Sequence, residues 1–281
     1  MGGPMVRRLA AAGFEVGAHD VVPRPDLADV VTLVDSAAAA AESGSVVVLM
    51  LPSSDTVEAV ADGGLLDALT PGSTLVDMSS SEPLRTRALA ERVAARGAVL
   101  VDAPVSGGVG GAEAGTLTIM VGGPGDAVAA LDPLLRALGT PRHVGPVGAG
   151  HALKALNNLM SAAHLLASSE ALLAGERFGL DPAVMLDAVN GSSGRSGSTQ
   201  NKWPTFVLPG TFDSGFALGL MLKDIRIAAG LARATGAAAE LTERTVALWA
   251  EAAEELGPGA DHTEVVRWLR RSARSESEAG A

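Results

Sequence analysis

Short runs of β-branched and leucine residues punctuate the first half of the chain, with alanine- and leucine-rich stretches of helical spacing between them. The runs Glu15–Asp20, Val46–Leu51, Thr74–Met78, Ala98–Asp102, Thr116–Val121 and Pro141–Val144 predict strands. Pro4–Ala12, Ser36–Ser43, Thr56–Ala61, Pro83–Arg96 and Asp126–Leu138 predict the helices that separate them. Such alternation reads as a βαβ array on a largely parallel sheet. The pattern changes at Gly145-Pro146-Val147-Gly148. Beyond it nearly every segment has helical period, over 149–178, 182–190, 217–234, 238–256 and 262–271, interrupted by the Gly/Ser/Pro-rich stretch Gly191 to Ser214. The expected organisation is an α/β domain over 1–146, an all-helical domain over 147–271 and a disordered polar tail over 272–281.

Candidate chemistry centres on Lys154. Its segment, Gly148-Ala149-Gly150-His151-Ala152-Leu153-Lys154-Ala155-Leu156-Asn157-Asn158, opens on glycines and continues as a helix. Asn157 and Asn158 stand three and four positions after the lysine, so all three share a face. Leu153, Leu156, Leu159 and Met160 are expected to give the helix an apolar seam. A lysine beside apolar neighbours tends to lose its proton, because desolvation disfavours the ammonium. Taken alone, this spacing suits a solvated helix face better. The segment upstream shifts the balance. After the apolar run ending at Val101 come Asp102-Ala103-Pro104-Val105-Ser106-Gly107-Gly108-Val109-Gly110-Gly111 and then the β-type run from Thr116. Ser106, Gly107 and Gly108 form a bare turn whose backbone N–H groups can converge on a carboxylate. A strand following directly favours an ordered loop between strands over a flexible linker.

Composition narrows the classes. At 281 residues with 47% hydrophobic content the chain can bury one large core or two smaller ones. It has no cysteine, which removes disulfides, thiolate metal sites and thiol nucleophiles and fits a cytoplasmic protein. No apolar run approaches the ~20 residues needed to span a bilayer, and no signal peptide is visible, so no membrane partner is expected. A net charge of −11 argues against a nucleic-acid surface. The five histidines lack metal-ligand spacing, so no metal is expected. His151, the one nearest Lys154, reads as a supporting residue.

In open α/β sheets ligands sit beyond the carboxyl ends of the strands. Three predicted strands end in small polar residues or turns, at Leu51-Pro52-Ser53-Ser54, Asp77-Met78-Ser79-Ser80-Ser81 and Asp20-Val21-Val22-Pro23, and together they outline a nucleotide cleft. A dinucleotide fold opens with a strand and G-x-G-x-x-G. This sequence opens Met1-Gly2-Gly3-Pro4-Met5, directly on the first helix. Gly2 fits the third glycine of that fingerprint, and Asp20 falls where an acid accepts from the adenosine ribose hydroxyls. A carboxylate there favours NAD, while Arg24 nearby leaves NADP open.

On these segments the sequence closely resembles the β-hydroxyacid dehydrogenases, the group of 3-hydroxyisobutyrate dehydrogenase and tartronate semialdehyde reductase, related to 6-phosphogluconate dehydrogenase. The resemblance covers about residues 1 to 271, with Asp102–Gly123 similar to the substrate-binding stretch and Gly148–Asn158 to the catalytic one. It implies a Rossmann-type doubly wound α/β sheet followed by an all-α domain. It implies Lys154 as general acid/base, and Ser106, Gly107 and Gly108 as the substrate-carboxylate loop, assisted by Asn157 and Asn158. Leu51, Pro52, Thr56 and Ser80 match cofactor contacts, and Lys223 matches a lysine that reaches cofactor and substrate from the helical domain. The implied reaction is hydride transfer between NAD(P) and the carbinol of a small 3-hydroxy acid. Lys154 takes the hydroxyl proton in oxidation and returns it in reduction. The positive nicotinamide ring would lower the lysine's pKa further. The family further implies a homodimer or homotetramer.

The first strand and first two glycines of the fingerprint are absent from this sequence. The expectation is a start placed too far downstream rather than a damaged copy, and weaker cofactor binding and stability than a version restored at the front. Two competitors stand beside the dehydrogenase. A non-catalytic binding module would have no need of Lys154, and imine-reducing relatives generally carry another residue there. Arg195 and Lys202 are candidates for reading a second polar group on the substrate.

Overall fold

A computed structural model describes residues 1–271, and the tail expected to be disordered lies outside the described residues. The chain divides into two compact units, the first ending at Lys154 and the second beginning at Ala155.

Unit 1 opens with α1 (Gly2–Ala11), then β1 (Gly17–Ala18), β2 (Thr32–Leu33), α2 (Ala37–Glu42), β3 (Val46–Leu49) and α3 (Ser54–Val60). A wide turn over Ala61–Leu65, broken at Gly64 with φ of +108°, leads into α4 (Leu66–Ala68). There follow β4 (Thr74–Asp77), α5 (Pro83–Ala94), β5 (Val99–Asp102), β6 (Val105–Ser106), α6 (Gly108–Ala114), β7 (Leu117–Gly122), α7 (Gly125–Ala130), α8 (Asp132–Leu138) and β8 (Gly139–Gly145). Serines set two of the helix starts, because Ser36 and Ser53 each accept the amide three residues on.

The main sheet is six-stranded, in the order β3-β4-β5-β7-β6 with β8 also on β7. Sequences such as Val46-Val47-Val48-Leu49 and Val99-Leu100-Val101 are apolar on both faces because helices cover both sides. Val76 and Val101 pack with Met5, Leu9, Ala112 and Leu135 from α1, α6 and α8. Their neighbours Leu75 and Leu100 face the other way, into Ala41, Val57, Leu89 and Val93 from α2, α3 and α5. Parallel register aligns the two strand-end acids, Asp77 opposite Asp102.

Several elements differ from expectation. The strand expected over Glu15–Asp20 shrinks to Gly17–Ala18 and pairs only with β2, in a separate two-stranded sheet, since Glu15, His19 and Asp20 stay exposed. The sheet is largely parallel, as expected, with β7 running antiparallel to β5 and β6. The glycine-rich turn contains a helix, α6, whose Ala112 is fully buried. The apolar seam on the Lys154 helix is only partly a core face, with Leu153 at 37%, Leu156 at 38% and Met160 at 51% exposure.

In unit 2 the helices are α9 (Ala149–Phe178, which starts in unit 1), α10 (Pro182–Asn190), α11 (Leu218–Thr235) and α12 (Glu240–Leu256). A short 3-10 turn, His262–Glu264, precedes a helix over 265–271. The stretch expected to be irregular holds a wide-turned helical segment, Ser198–Val207, with Pro204 inside it. Wide turns relax the i→i−4 ladder that proline breaks. Trp203 and Val207 anchor this segment in a core with Leu165, Leu218, Ile225, Trp249 and Val265.

Candidate active site

The start of α9 is built on the carboxyl ends of β4 and β5. Asp102, at the end of β5, is buried and accepts the backbone amides of Gly148 at 2.6 Å and His151 at 2.8 Å. A carboxylate at a helix N-terminus satisfies donors that have no partner within the helix and sits at the positive end of its dipole. Burial nevertheless pushes Asp102 above the ordinary carboxylate range, against the opposing pull of His151 and the two amides. Asp77, at the end of β4, is buried and accepts from the Ser79 amide and the Ser81 hydroxyl, each at 2.9 Å. Between the two acids lies the ring of His151, within hydrogen-bond reach of Thr86 and of the Ser79 carbonyl. Lys154 follows one turn later and is 8% exposed. Neither acid was singled out in the sequence, although Asp77 opens one of the cleft-rim segments and Asp102 the substrate-binding stretch.

Two glycines make this docking physical. A Cβ on Gly150 would fall within 2.9 Å of the Asp102 carbonyl and closer still to that of Met120. One on Gly122 would stand 2.8 Å from the Gly150 nitrogen. Helix and sheet meet there backbone to backbone.

Ser106 ends β6, paired with Thr118. Gly107 and Gly108 follow with φ of +132° and +64°, conformations that disfavour any side chain, and bring the chain to the start of α6. Both glycines are exposed.

The expected cofactor residues of unit 1 fall at the strand ends. The Leu51 amide donates to the Ser79 hydroxyl at 2.9 Å, which ties the loop holding Leu51 and Pro52 to the loop holding Ser80. Thr56 sits in the first turn of α3, its amide and hydroxyl both on Ser53. Gly2 begins α1, where a Cβ would make ordinary contact with Met50 at 3.9 Å, so close packing does not demand this glycine. Gly3 is the tighter position, with the Arg24 guanidinium 2.7 Å from where its Cβ would stand. Asp20 is exposed and accepts the Val22 amide. Arg24 makes a two-point contact with Asp26, and together with Arg7 it holds that carboxyl down to about 2. A helix start at Gly2 and Gly3 with the Arg24 guanidinium beside it, and the exposed acid Asp20, suit the diphosphate and ribose of an adenine dinucleotide.

Inside unit 2, Asn158 is buried and donates to Asp224 at 2.6 Å, Asn157 donates to Asn158, and Lys223 pairs with Asp224 at 3.0 Å. Asp224, which the sequence did not flag, thus holds Asn158 and Lys223 directly, and Asn157 through Asn158. Arg195 is exposed. Lys202 donates to Ser161 at 2.7 Å, and burial lowers it to about 8. Among the described residues no group of His, Cys, Asp and Glu is arranged to hold a metal, and no helix is long and apolar enough to cross a membrane.

Residues 1–148 match the family described as the NAD binding domain of 6-phosphogluconate dehydrogenase. Residues 148–269 match the one described as NAD-binding of NADP-dependent 3-hydroxyisobutyrate dehydrogenase. The chain is 39% identical to the 3-hydroxyisobutyrate dehydrogenase of Pseudomonas aeruginosa, over 86% of this chain and 85% of that one. It is also 39% identical to the 2-(hydroxymethyl)glutarate dehydrogenase of Eubacterium barkeri, over 81% and 78% respectively. The solved 3-hydroxyisobutyrate dehydrogenase of Mycobacterium tuberculosis, determined with L-serine, is similar at a TM-score of 0.91 and 31% identity, covering 96% of each chain. A Rossmann-like domain followed by a helical domain, matched by relatives of this kind, places the chain in the β-hydroxyacid dehydrogenase family, as an NAD(P)-dependent hydroxyacid dehydrogenase.

Proposed function

We propose that this protein oxidises a short 3-hydroxy acid of the 3-hydroxyisobutyrate kind, with Lys154 as the general base, and reduces the corresponding aldehyde with the same residue as acid. The observation that carries the reading is the seating of Lys154. It is buried, one turn into a helix whose start is held by the carboxylate that precedes the glycine loop.

Bound NAD(P) supplies the hydride acceptor. The amides of Ser106, Gly107 and Gly108 hold the substrate carboxylate, as exposed glycine backbone in positive-φ turns can. Lys154 Nζ receives the hydroxyl proton during oxidation and donates it during reduction. Partial burial of Lys154 keeps bulk water from competing for that proton. Asn157 and Asn158, one turn beyond Lys154 on α9, orient the substrate hydroxyl, with Asp224 fixing the second amide. Lys223 pairs with Asp224 within unit 2, and its assignment to nucleotide and acid rests on the family resemblance alone. Subunits pair through unit 2, where Phe178 at 85%, Val184 at 68% and Leu241 at 73% exposure offer apolar surface, and light scattering reads the resulting mass.

The test is a panel of 3-hydroxyisobutyrate, glycerate, threonate, 3-hydroxypropionate and L-serine, assayed with NAD and NADP. At least one acid should turn over, and Lys154→Met should lower kcat by about 10²–10⁴-fold, the usual worth of a positioned acid or base. Nucleotide binding, read by calorimetry, should survive the substitution. Wild-type turnover by Lys154→Met refutes the assignment.

A further inference from the structure

Of the 21 lysine and arginine residues, only Lys154, Lys202 and Lys223 are lysines. All three meet one helix. Lys154 stands on α9 itself. Lys223 pairs with Asp224, which accepts from Asn158 of α9. Lys202, in the wide-turned segment Ser198–Val207, donates to Ser161 of α9 at 2.7 Å. Positions 154, 158 and 161 share a single helical face, and Ser161 lies about 10 Å along the axis from Lys154. An ammonium is a compact point charge that sheds its proton when desolvated, which a guanidinium does not. A chain that meets its other needs for positive charge with arginine keeps its amines for this face.

The three differ in what balances them. Lys223 has the Asp224 carboxylate at 3.0 Å, and Lys154 carries the proton of the reaction proposed above. Lys202 has no carboxylate at ion-pairing distance among the described residues. The acid whose field reaches it, Asp261, is already engaged by the Ser214 hydroxyl, the Gly215 amide and the amide and hydroxyl of Thr263. His262, next to that acid, is buried and held down to about 4, so near neutral pH it carries no charge. One of the three ammonium hydrogens goes to Ser161, and two have no acceptor among the described residues. The side chain is half-buried: sheltered enough for desolvation to lower it to about 8, open enough for a solute to reach it. A partly desolvated cation without a counterion gains from any anion brought to it.

We propose that Lys202 is a specificity-determining residue that binds a second carboxylate, so that the substrate is a 3-hydroxy diacid whose distal acid lies along α9, two turns beyond the reacting hydroxyl. The proposal rests on the proton-transfer role given to Lys154. One carboxylate sits on the Ser106–Gly108 turn, the hydroxyl meets the Lys154 amine, and the distal acid meets the Lys202 ammonium, whose direction Ser161 fixes. The distal acid is held and not transformed, so the hydride and proton balance is that of the simpler acid.

The test uses the full chain saturated with NAD. The substrates are 3-hydroxyisobutyrate, its analogues with a carboxymethyl or 2-carboxyethyl group in place of the methyl, and the distal monoamides of those two diacids. The better diacid should exceed its own monoamide in kcat/KM by about 10–100-fold, the usual worth of a hydrogen bond to a charged group. Lys202→Met should bring diacid and monoamide to within a few-fold of each other, chiefly by raising the KM of the diacid. Lys202→Arg, which keeps the charge, should recover part of the preference. In the unaltered protein the KM of the diacid, but not of the monoamide, should rise as pH passes about 8 and Lys202 loses its proton. Should Lys202→Met not fold, that pair of pH profiles still decides. Turnover of both with equal kcat/KM overturns the proposal and leaves the role of Lys154 standing, as does a diacid preference that persists in Lys202→Met. Turnover at the parent rate in Lys154→Met defeats the proton-transfer reading and this proposal with it.

Discussion

Removing the carboxylate of Asp102 tests whether one side chain holds the start of α9 in place. In Asp102→Ala the amides of Gly148 and His151 lose acceptors at 2.6 and 2.8 Å in a buried setting. Each buried donor left unpaired costs about 1–3 kcal/mol, which sums to about 2–6 kcal/mol. Part of this is offset, because burial already disfavours the ionised acid. A net loss of about 2–4 kcal/mol is expected, a drop in Tm of roughly 5–15 °C for a unit of this size. Calorimetry resolves it, since unit 1 holds none of the three tryptophans and fluorescence would miss its melting. Acidity adds a second signature. The folded Asp102 pKa lies above its unfolded value, so its stabilising contribution is full below about pH 4 and declines as pH rises through the raised value. That decline should vanish in Asp102→Asn, which retains one oxygen and so recovers part of the lost stability. An Asp102→Ala protein as stable as the parent would refute the account of how α9 is seated.

Further outcomes follow from the same structure. His262 is buried, with Lys202 adding repulsion, and its pKa falls from 6.5 to about 4. The unfolded chain therefore binds the extra proton first, and stability of order 3 kcal/mol that is present above pH 6.5 should drain away as pH falls towards 4. Urea unfolding followed by tryptophan fluorescence at several pH values checks this, because Trp249 stacks on that ring at 6.5 Å. Trp203→Ala empties a fully buried site and deletes the bond to Ser169, so a loss of about 3–5 kcal/mol is expected in the same assay. Gly150→Ala should prevent α9 from seating, giving misfolded or inactive protein, whereas Gly230→Ala, with open space around it, should leave melting temperature and turnover intact. Gly107→Ala places a methyl 3.2 Å from a Leu117 methyl at φ of +132°, so a raised KM for the acid with unchanged NAD affinity is expected.

The central strands were legible because burial on both faces forces continuous apolar runs. Thr74–Asp77 and Val99–Asp102 lie within one residue of their expected ends. The two-residue β2 was missed although it lies in the β-type run Val30-Val31-Thr32-Leu33-Val34; it pairs only with β1, outside the main sheet. The α6 helix hid behind Gly108, Gly110 and Gly111, residues that disfavour helix; the burial of Ala112 holds it. Proline and serine concealed the segment around Trp203 in the same way, and the burial of that indole decides its shape. At the site, Lys154 stood out through its neighbours along the chain. Asp77 and Asp102 did not, because their significance depends on strand register: 25 positions separate them in the chain, yet they are cross-strand partners. Asp224 escaped for a similar reason, since its link to Asn158 joins two helices far apart in sequence.

The bare contact of Gly122 and Gly150 leaves no slack where α9 meets the sheet. Any mutation that adds an atom there must displace main chain, so evolution has little room to shift the start of α9 and the base proposed on it. The rim formed by Gly107 and Gly108 faces no such restriction of space on its solvent side. On the function proposed here, a lineage adapting this scaffold to a new acid would be expected to remodel the lip at Gly107 and Gly108, keeping Lys154 where it is.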